Sequence, residues 1–252
     1  MNTKKALYNY CLRLADNNLI AGQRLAEWCS NGPILEEDLA MTNFGLDYLG
    51  QAEFHYDYAA ELEGKNRSGD DLAFTRSERQ YYNCLLLEQP NGDFAQSMMK
   101  MFLYSAFAKL LLDALTLSKD ERLAALAAKG IKEIKYHHRH SSEWLIRFGN
   151  GTEESKQHSQ NALNEIWPYT ADLFEMNETD QELISLGIAI DLNNLYAPWL
   201  LSVNEILNAA NLAVIENQHM YKGGYKGNHT EHLGHLLCEM QYLQRAHPGA
   251  TW

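Results

Sequence analysis

Histidine and glutamate residues recur at short spacing in one segment near the C-terminus. The segment GNHTEHLGHLLCEMQYLQ, residues 227–244, contains three histidines and two glutamates in a pattern typical of one amphipathic helix. Imidazole and carboxylate groups can bind Zn²⁺, so we consider a mononuclear site formed by His229, Glu231 and His232. These three positions do not converge on one face of a helix. A polar surface that binds another protein, or a solvated face, is the alternative interpretation.

A second cluster lies in IKEIKYHHRHS, residues 131–141. A di-iron site in a helical bundle needs a Glu from each of two helices and a Glu-x-x-His pair from each of the other two. Here Glu133 is followed by Tyr136 at the third position and by His137 at the fourth, so the register is wrong by one residue. The other long helical segments contain no Glu-x-x-His pair. Glu133 and His137 are therefore candidates for a vestigial site only.

The histidines of this segment fall on the apolar side of the expected helix. At about 100° per residue, His137 and His138 lie within the stripe of apolar residues, and Glu133 lies at its edge. We expect neighbouring carboxylates or carbonyls to bind these histidines. An independent di-metal oxidase or hydroxylase, with ligands that the spacing does not reveal, is the alternative function.

Helical periodicity dominates the chain, and strand patterns are nearly absent. The sequence predicts helices at about 3–29, 35–63, 76–88, 93–117, 120–148, 153–175, 180–187, 194–213 and 229–245. Three capping boxes support the helix starts: Thr75 with Glu78, Ser118 with Glu121, and Thr179 with Glu182. The connecting segments are short turns or a polar loop, and none is a domain linker. We therefore expect an all-α fold, one helical bundle in a single domain spanning 1–252, with shorter helices packed around four long antiparallel ones.

Charge and composition exclude several classes of function. The formal net charge is −12 at pH 7, so the chain should repel nucleic acid and anionic membranes. The N-terminal residues lack the uninterrupted apolar run of a signal peptide, and Lys109 and Asp113 interrupt the most apolar later segment. Cys11, Cys29, Cys84 and Cys238 are scattered, which indicates buried thiols in a reduced compartment. The sequence thus predicts a cytoplasmic protein with no membrane partner.

Several stretches together resemble the PaaC-type subunit family of the bacterial ring-1,2-phenylacetyl-CoA epoxidase. The stretches are LRLADN, QRLAEWC, EEDLAMTNFGLDYLGQA, LAFTRSERQYYNCLLLEQPNGDFA, KEIKYHHRHSSEWLIRFGNGT and HTEHLGHLLCEMQYLQR. The resemblance runs from about residue 7 to the final tryptophan. One departure is FLYSAF, residues 102–107, where we expect a more polar segment.

The resemblance implies a ferritin-like bundle that is structural and not catalytic. It implies no catalytic residue and no cofactor in this chain, because the related PaaA-type catalytic subunit holds the di-iron centre and binds phenylacetyl-CoA. Its implied partners are that subunit, a small subunit and a reductase that draws electrons from NADPH. A homodimer of the isolated chain is an alternative to a monomer.

The turn KGGYKGN, residues 222–228, combines glycines with two lysines before a helix N-terminus. Free backbone amides, positive charge and a helix N-terminus suit an anion. Given the resemblance, that anion is a carboxylate of the catalytic subunit or a phosphate of its CoA ester. The candidate contact residues are Lys222, Gly223, Gly224, Lys226, His229, Glu231 and His232. The alternative is a simple turn between two helices, which needs the glycines but not the lysines.

Overall fold

The computed structural model describes residues 3–250, which form helices joined by turns, with no strand among them. The α-helices are α1 (Thr3–Ala26), α2 (Leu35–Glu63), α3 (Gly69–Phe74), α4 (Leu85–Glu88), α5 (Phe94–Leu115), α6 (Glu121–Gly149), α7 (Glu153–Ile166), α8 (Glu178–Ser185), α9 (Asn193–Ala209), α10 (Glu231–Met240) and α11 (Tyr242–Ala246). Short 3₁₀ helices span Glu78–Gln80, Trp167–Phe174 and Gly224–Lys226. The predicted all-α class is confirmed.

Four long helices, α1, α2, α5 and α6, form the ferritin-like bundle. α1 packs along α2, and α5 packs along α6. α2 and α6 run antiparallel, since Glu61 near the end of α2 pairs with Arg122 at the start of α6, while Glu37 pairs with His140 further along. Large side chains fill the centre, among them Tyr10, Phe44, Tyr48, Phe102 and Phe107. This core holds the helices that position the candidate site residues.

The predicted helix at 76–88 is wrong. Only Glu78–Gln80 forms a 3₁₀ turn, and residues 81–84 are extended before the single turn of α4. The cause is tertiary, because buried Asp16 of α1 accepts from the Tyr82 amide at 2.8 Å and also pairs with Arg76. An ion pair and a backbone hydrogen bond to another helix thus replace the local helical hydrogen bonds in this segment.

Two other predicted helices are divided. Helix α7 ends at Ile166, and the chain continues as the 3₁₀ helix Trp167–Phe174, which has Pro168 near its start. The predicted helix 153–175 is therefore an α-helix followed by a 3₁₀ helix. The predicted helix 229–245 breaks at Gln241 into α10 and α11. The Gln241 side chain is buried there and donates to the Tyr81 hydroxyl at 2.8 Å and to the Arg76 carbonyl at 3.1 Å.

The helix starts use other caps than the sequence predicted. Asp120 caps α6 by accepting from the Leu123 amide, whereas the Ser118 hydroxyl donates to the Ile188 carbonyl. The other side-chain caps include Ser68 for α3, Thr152 for α7 and Asn177 for α8. The predicted boxes at Thr75–Glu78, Ser118–Glu121 and Thr179–Glu182 are therefore wrong, since Asp and Asn at nearby positions cap at least as well as Ser and Thr.

The cysteine prediction is half correct, since Cys11 and Cys84 are buried but Cys29 and Cys238 are exposed. The segment 102–107 is fully buried within α5. Within residues 3–250, none of the helices combines the length and the apolar character needed to cross a bilayer.

Candidate functional site

His137 lies at the centre of the bundle and is bound by a neighbouring carboxylate. Its ring is fully buried, and its Nε2 lies 2.9 Å from Oδ2 of Asp47 on α2. The ring packs between Phe44 and Tyr48, with centroid distances of 4.4 and 4.9 Å. The prediction that this histidine lies in the buried stripe and is bound by a carboxylate is confirmed.

Glu133 faces a different partner. Its Oε2 accepts a hydrogen bond of 2.7 Å from Nε2 of Gln51, one turn away from Asp47 along α2. Glu133 is half-buried, which matches its predicted place at the edge of the stripe. Glu133 and His137 therefore each bind a separate residue of α2 instead of a shared ligand.

Two further histidines near the bundle centre are uncharged at neutral pH. Burial, with a contribution from Lys109, lowers the pKa of His138 to about 4, and the ring stacks on Phe102 at 5.5 Å. Burial also lowers the pKa of His55 to about 4, although its Nδ1 lies 2.7 Å from the Gln51 carbonyl. His55 thus has a backbone carbonyl as its partner, whereas His138 packs as an aromatic group and its buried Nδ1 has no hydrogen-bond partner. The prediction that a neighbouring carboxylate or carbonyl binds His138 is therefore wrong.

These residues do not fit the di-iron centre that the ferritin-like fold implies. That centre needs carboxylates and histidines from four helices around one point. Around the buried ring of His137, α2 contributes the side chains of Phe44 and Tyr48. α5 contributes those of Met98, Met101 and Phe102 to the same core. Across residues 3–250, no group of three or more His, Cys, Asp or Glu side chains could hold a metal ion. The same observation disfavours the zinc alternative at His229, Glu231 and His232.

The glycine amides of the turn at 222–228 bind a carboxylate of the chain itself. Oδ1 of buried Asp172 accepts from the Gly223 amide at 2.7 Å and from the Gly224 amide at 3.2 Å. Its Oδ2 accepts from the Leu85 amide at 2.8 Å. Burial raises the pKa of Asp172 to about 6, against the opposing effect of these three amides. An outside anion could reach the two glycine amides only by displacing Asp172.

His229 also faces inward. Its Nδ1 lies 2.8 Å from Oε2 of Glu88 and its Nε2 lies 2.9 Å from the Tyr81 carbonyl, with both side chains of the ion pair fully buried. The other Glu88 oxygen accepts from the Thr230 amide at 2.6 Å. The pair therefore fastens the start of the C-terminal segment to residues 81–88.

The remaining candidate residues lie at the surface. Lys226 forms an ion pair with Glu175 and keeps more than half of its side chain exposed. Lys222 and Glu231 are exposed, and Glu231 lines an open groove of about 940 Å³ between the start of α10 and the segment at Glu78. His232 is half-buried. The predicted contact with a partner stays a prediction, and the side chains of Lys222, Lys226 and Glu231 are the ones most accessible for it.

The sequence did not reveal the buried ion pairs that hold the segments around Arg76 and Asp180 against α1. Asp16 pairs with Arg76, and Asp180 pairs with Arg13, all four being buried. The two members of each pair are far apart in sequence, by 60 residues for Asp16 and Arg76 and by 167 residues for Arg13 and Asp180. The signal available beforehand was RLADNN, residues 13–18, a run of charged and amide residues in the middle of a predicted helix.

The comparisons with known proteins cover all or nearly all of the chain. Residues 1–252 match a family model described as phenylacetic acid catabolic protein. A relative from Escherichia coli, the C subunit of 1,2-phenylacetyl-CoA epoxidase, is 51% identical over 243 residues, which cover 96% of this chain and 98% of that protein. The family match includes the segments that carry the resemblance. The chain belongs to the phenylacetic acid catabolic protein family.

Proposed function

We propose that this chain is a subunit of a phenylacetyl-CoA epoxidase in phenylacetate catabolism. The observation that carries the proposal is the 51% identity to the C subunit of such an enzyme, which extends over nearly the whole of both chains. The aligned region covers 96% of this chain, so the proposal applies to the described helices as a whole.

Within the complex, the chain supports a catalytic subunit and does not activate oxygen itself. The side chains at its bundle centre support this role. The Asp47 carboxylate is hydrogen-bonded to His137 and the Glu133 carboxylate to Gln51, and aromatic rings fill the space between the helices. The di-iron centre supplies the oxygen chemistry in the PaaA-type partner. The other partners that we propose are a small subunit and an NADPH-dependent reductase, and the setting is the cytoplasm.

Metal analysis and reconstitution test the supporting role. We expect the purified chain to contain no stoichiometric iron after iron loading, since one Glu and one His cannot hold two irons. We also expect no loss of phenylacetyl-CoA when it is incubated with NADPH and the reductase, and turnover once the PaaA-type subunit is added. Iron content is measured by mass spectrometry and the CoA ester by liquid chromatography.

Glu133→Ala is the matched control. It removes the one carboxylate of the candidate pair while leaving His137 and Asp47 in place. Turnover of the reconstituted complex should not change by more than about twofold. Two irons per chain together with turnover by this chain alone would refute the supporting role, and loss of that turnover in Glu133→Ala would locate the metal.

A further inference from the structure

A cavity lies between α1, the extended segment before α4, the start of α8 and the last 3₁₀ helix. Its lining includes the buried side chains of Tyr10, Arg13 and Tyr225 and the half-exposed side chains of Asn9 and Tyr82. The volume is about 140 Å³. Since a cavity of about 150 Å³ can hold benzene, this one has room for a single ring with a small substituent.

Tyr10, which lines this cavity, has a buried hydroxyl with no hydrogen-bond partner among the described residues. The residue is only 1% exposed, and buried polar groups are nearly always bonded because an unpaired one costs stability. Burial raises the pKa of Tyr10, so the hydroxyl keeps its proton and can donate. An acceptor atom on a bound molecule would satisfy this donor.

The guanidinium of Arg13 provides further donors in the wall of the cavity. Two of its five N–H groups donate to Asp180, one of them at 2.9 Å, in a bidentate ion pair. Both oxygens of Asp180 are therefore occupied, and one of them also accepts from the Asn177 amide at 2.8 Å. Guanidinium N–H groups bind carboxylates well, so those that Asp180 does not use can bind a second carboxylate.

The polar side chains at the α8 side of the cavity can donate as well. Oδ1 of Asn177 accepts from the Thr179 amide at 2.9 Å and from the Asp180 amide at 3.4 Å, which leaves its NH₂ group as the end that can bind a ligand. No Asp or Glu is among the described residues that line the cavity, although the chain has a net charge of −12. Donors and a guanidinium without a lining carboxylate suit an anion.

Tyrosine rings supply the apolar part of the wall. The rings of Tyr10 and Tyr225 lie with their centroids 4.9 and 4.6 Å from the guanidinium carbon of Arg13, and Tyr82 contributes a third ring. Planar rings pack well against aromatic and guanidinium planes. We propose that this cavity binds a small aromatic carboxylate, with its carboxylate on Arg13 and the Tyr10 hydroxyl and its ring against the tyrosines.

Titration calorimetry of the purified full chain with phenylacetate tests the ligand class. Phenylacetate has one ring and one carboxylate, and its choice as the probe rests on the proposed function in phenylacetate catabolism. We expect a dissociation constant of about 1 mM or lower. Phenylacetamide, which lacks the charge, and acetate, which lacks the ring, should each bind at least about 10-fold more weakly. Absence of phenylacetate binding, or equal binding of either analogue, would overturn the inference, whereas the subunit role is tested separately by turnover of the reconstituted complex.

Tyr10→Phe tests the location of the ligand. We expect it to raise the dissociation constant for phenylacetate at least about 5-fold and to leave the melting temperature unchanged or higher, because the hydroxyl has no partner in the fold. Tyr48→Phe is the matched control, since its hydroxyl is also buried without a partner but its ring packs on His137 at the bundle centre. The affinity of this control should stay within about twofold of the wild type. Unchanged affinity in Tyr10→Phe, or the same loss in both variants, would place the ligand elsewhere and overturn the proposal.

Discussion

The buried ring of His229 illustrates how a single residue fixes a loop and a charge state together. Both ring nitrogens face acceptors, the Glu88 carboxylate and the Tyr81 carbonyl, so both carry protons and the ring is an imidazolium. Burial lowers the pKa of His229, but these two acceptors outweigh it, and the net pKa lies above its ordinary value. The histidine thus behaves as a structural cation and not as a surface ligand.

The raised pKa of His229 predicts the pH dependence of stability. The folded chain binds the proton more tightly than the unfolded chain, so the stabilisation is complete below the unfolded pKa of about 6.5 and is lost as pH rises through the folded pKa. We expect His229→Gln to lower the free energy of unfolding by about 3 kcal/mol at low pH, since Glu88 loses its buried partner. The difference in the free energy of unfolding between His229→Gln and wild type should become smaller as pH rises.

Urea denaturation at a series of pH values from about 5.5 to about 9 measures this difference. His235→Gln is the control, because His235 lies on the exposed side of α10 and its removal should change little at any pH. A difference between wild type and His229→Gln that stays constant across the series would contradict an imidazolium at this position.

At the scale of elements, the turn before α10 is held by the close approach of two backbones. A Cβ atom on Gly224 would lie 2.3 Å from the Asn83 carbonyl oxygen and 2.7 Å from Oδ2 of Asp172. We expect Gly224→Ala to lower the free energy of unfolding by about 2 to 4 kcal/mol, because one of these neighbours is backbone and the other is bound to three amides.

Gly50→Ala is the control for this variant. Gly50 is a helical glycine, and a methyl group added there would have no neighbouring heavy atom within 4 Å. Alanine at this position should leave stability unchanged or raise it by up to about 1 kcal/mol. Denaturant unfolding of the two variants provides the comparison. Equal stability of Gly224→Ala and wild type would mean that the turn can move away from residues 83 and 84.

At the scale of the whole molecule, we propose that the accessible lysines of this turn, Lys222 and Lys226, contact the catalytic subunit. Replacing Lys222 and Lys226 by Gln removes positive charge from the surface of an acidic chain, and it also removes the ion-pair partner of Glu175, whose side chain is 13% exposed. We therefore expect a loss of about 1 to 3 kcal/mol in the free energy of unfolding. In the folded variant we expect either an affinity for the partner lowered about 3- to 10-fold or a KM for the CoA ester raised by a similar factor.

The double variant Lys65→Gln and Lys119→Gln serves as the control, because both lysines are exposed at other places on the surface. Binding to the PaaA-type subunit is measured by surface plasmon resonance and KM in the reconstituted complex. If the Lys222 and Lys226 variant matches this control in both measurements, the turn only connects two helices.

The sequence by itself determined the helical class, the four long helices and the buried side of α6. These features depend on the spacing of apolar residues within one segment, which the chain displays locally. His137 could be assigned to the core for the same reason. The missing Glu-x-x-His pairs were equally visible, because that motif lies within one helix.

Only the tertiary structure determined which distant groups the buried polar side chains contact. Asp172 lies 51 positions before Gly223 and Glu88 lies 141 positions before His229, so no local pattern could pair them. The failure of the predicted helix at 76–88 has the same origin, since Asp16 of a distant helix binds Arg76 and the Tyr82 amide. Hydrogen bonds that involve buried charged groups are strong enough to override local helix propensity. The partners of these charged groups are determined only when the chain folds.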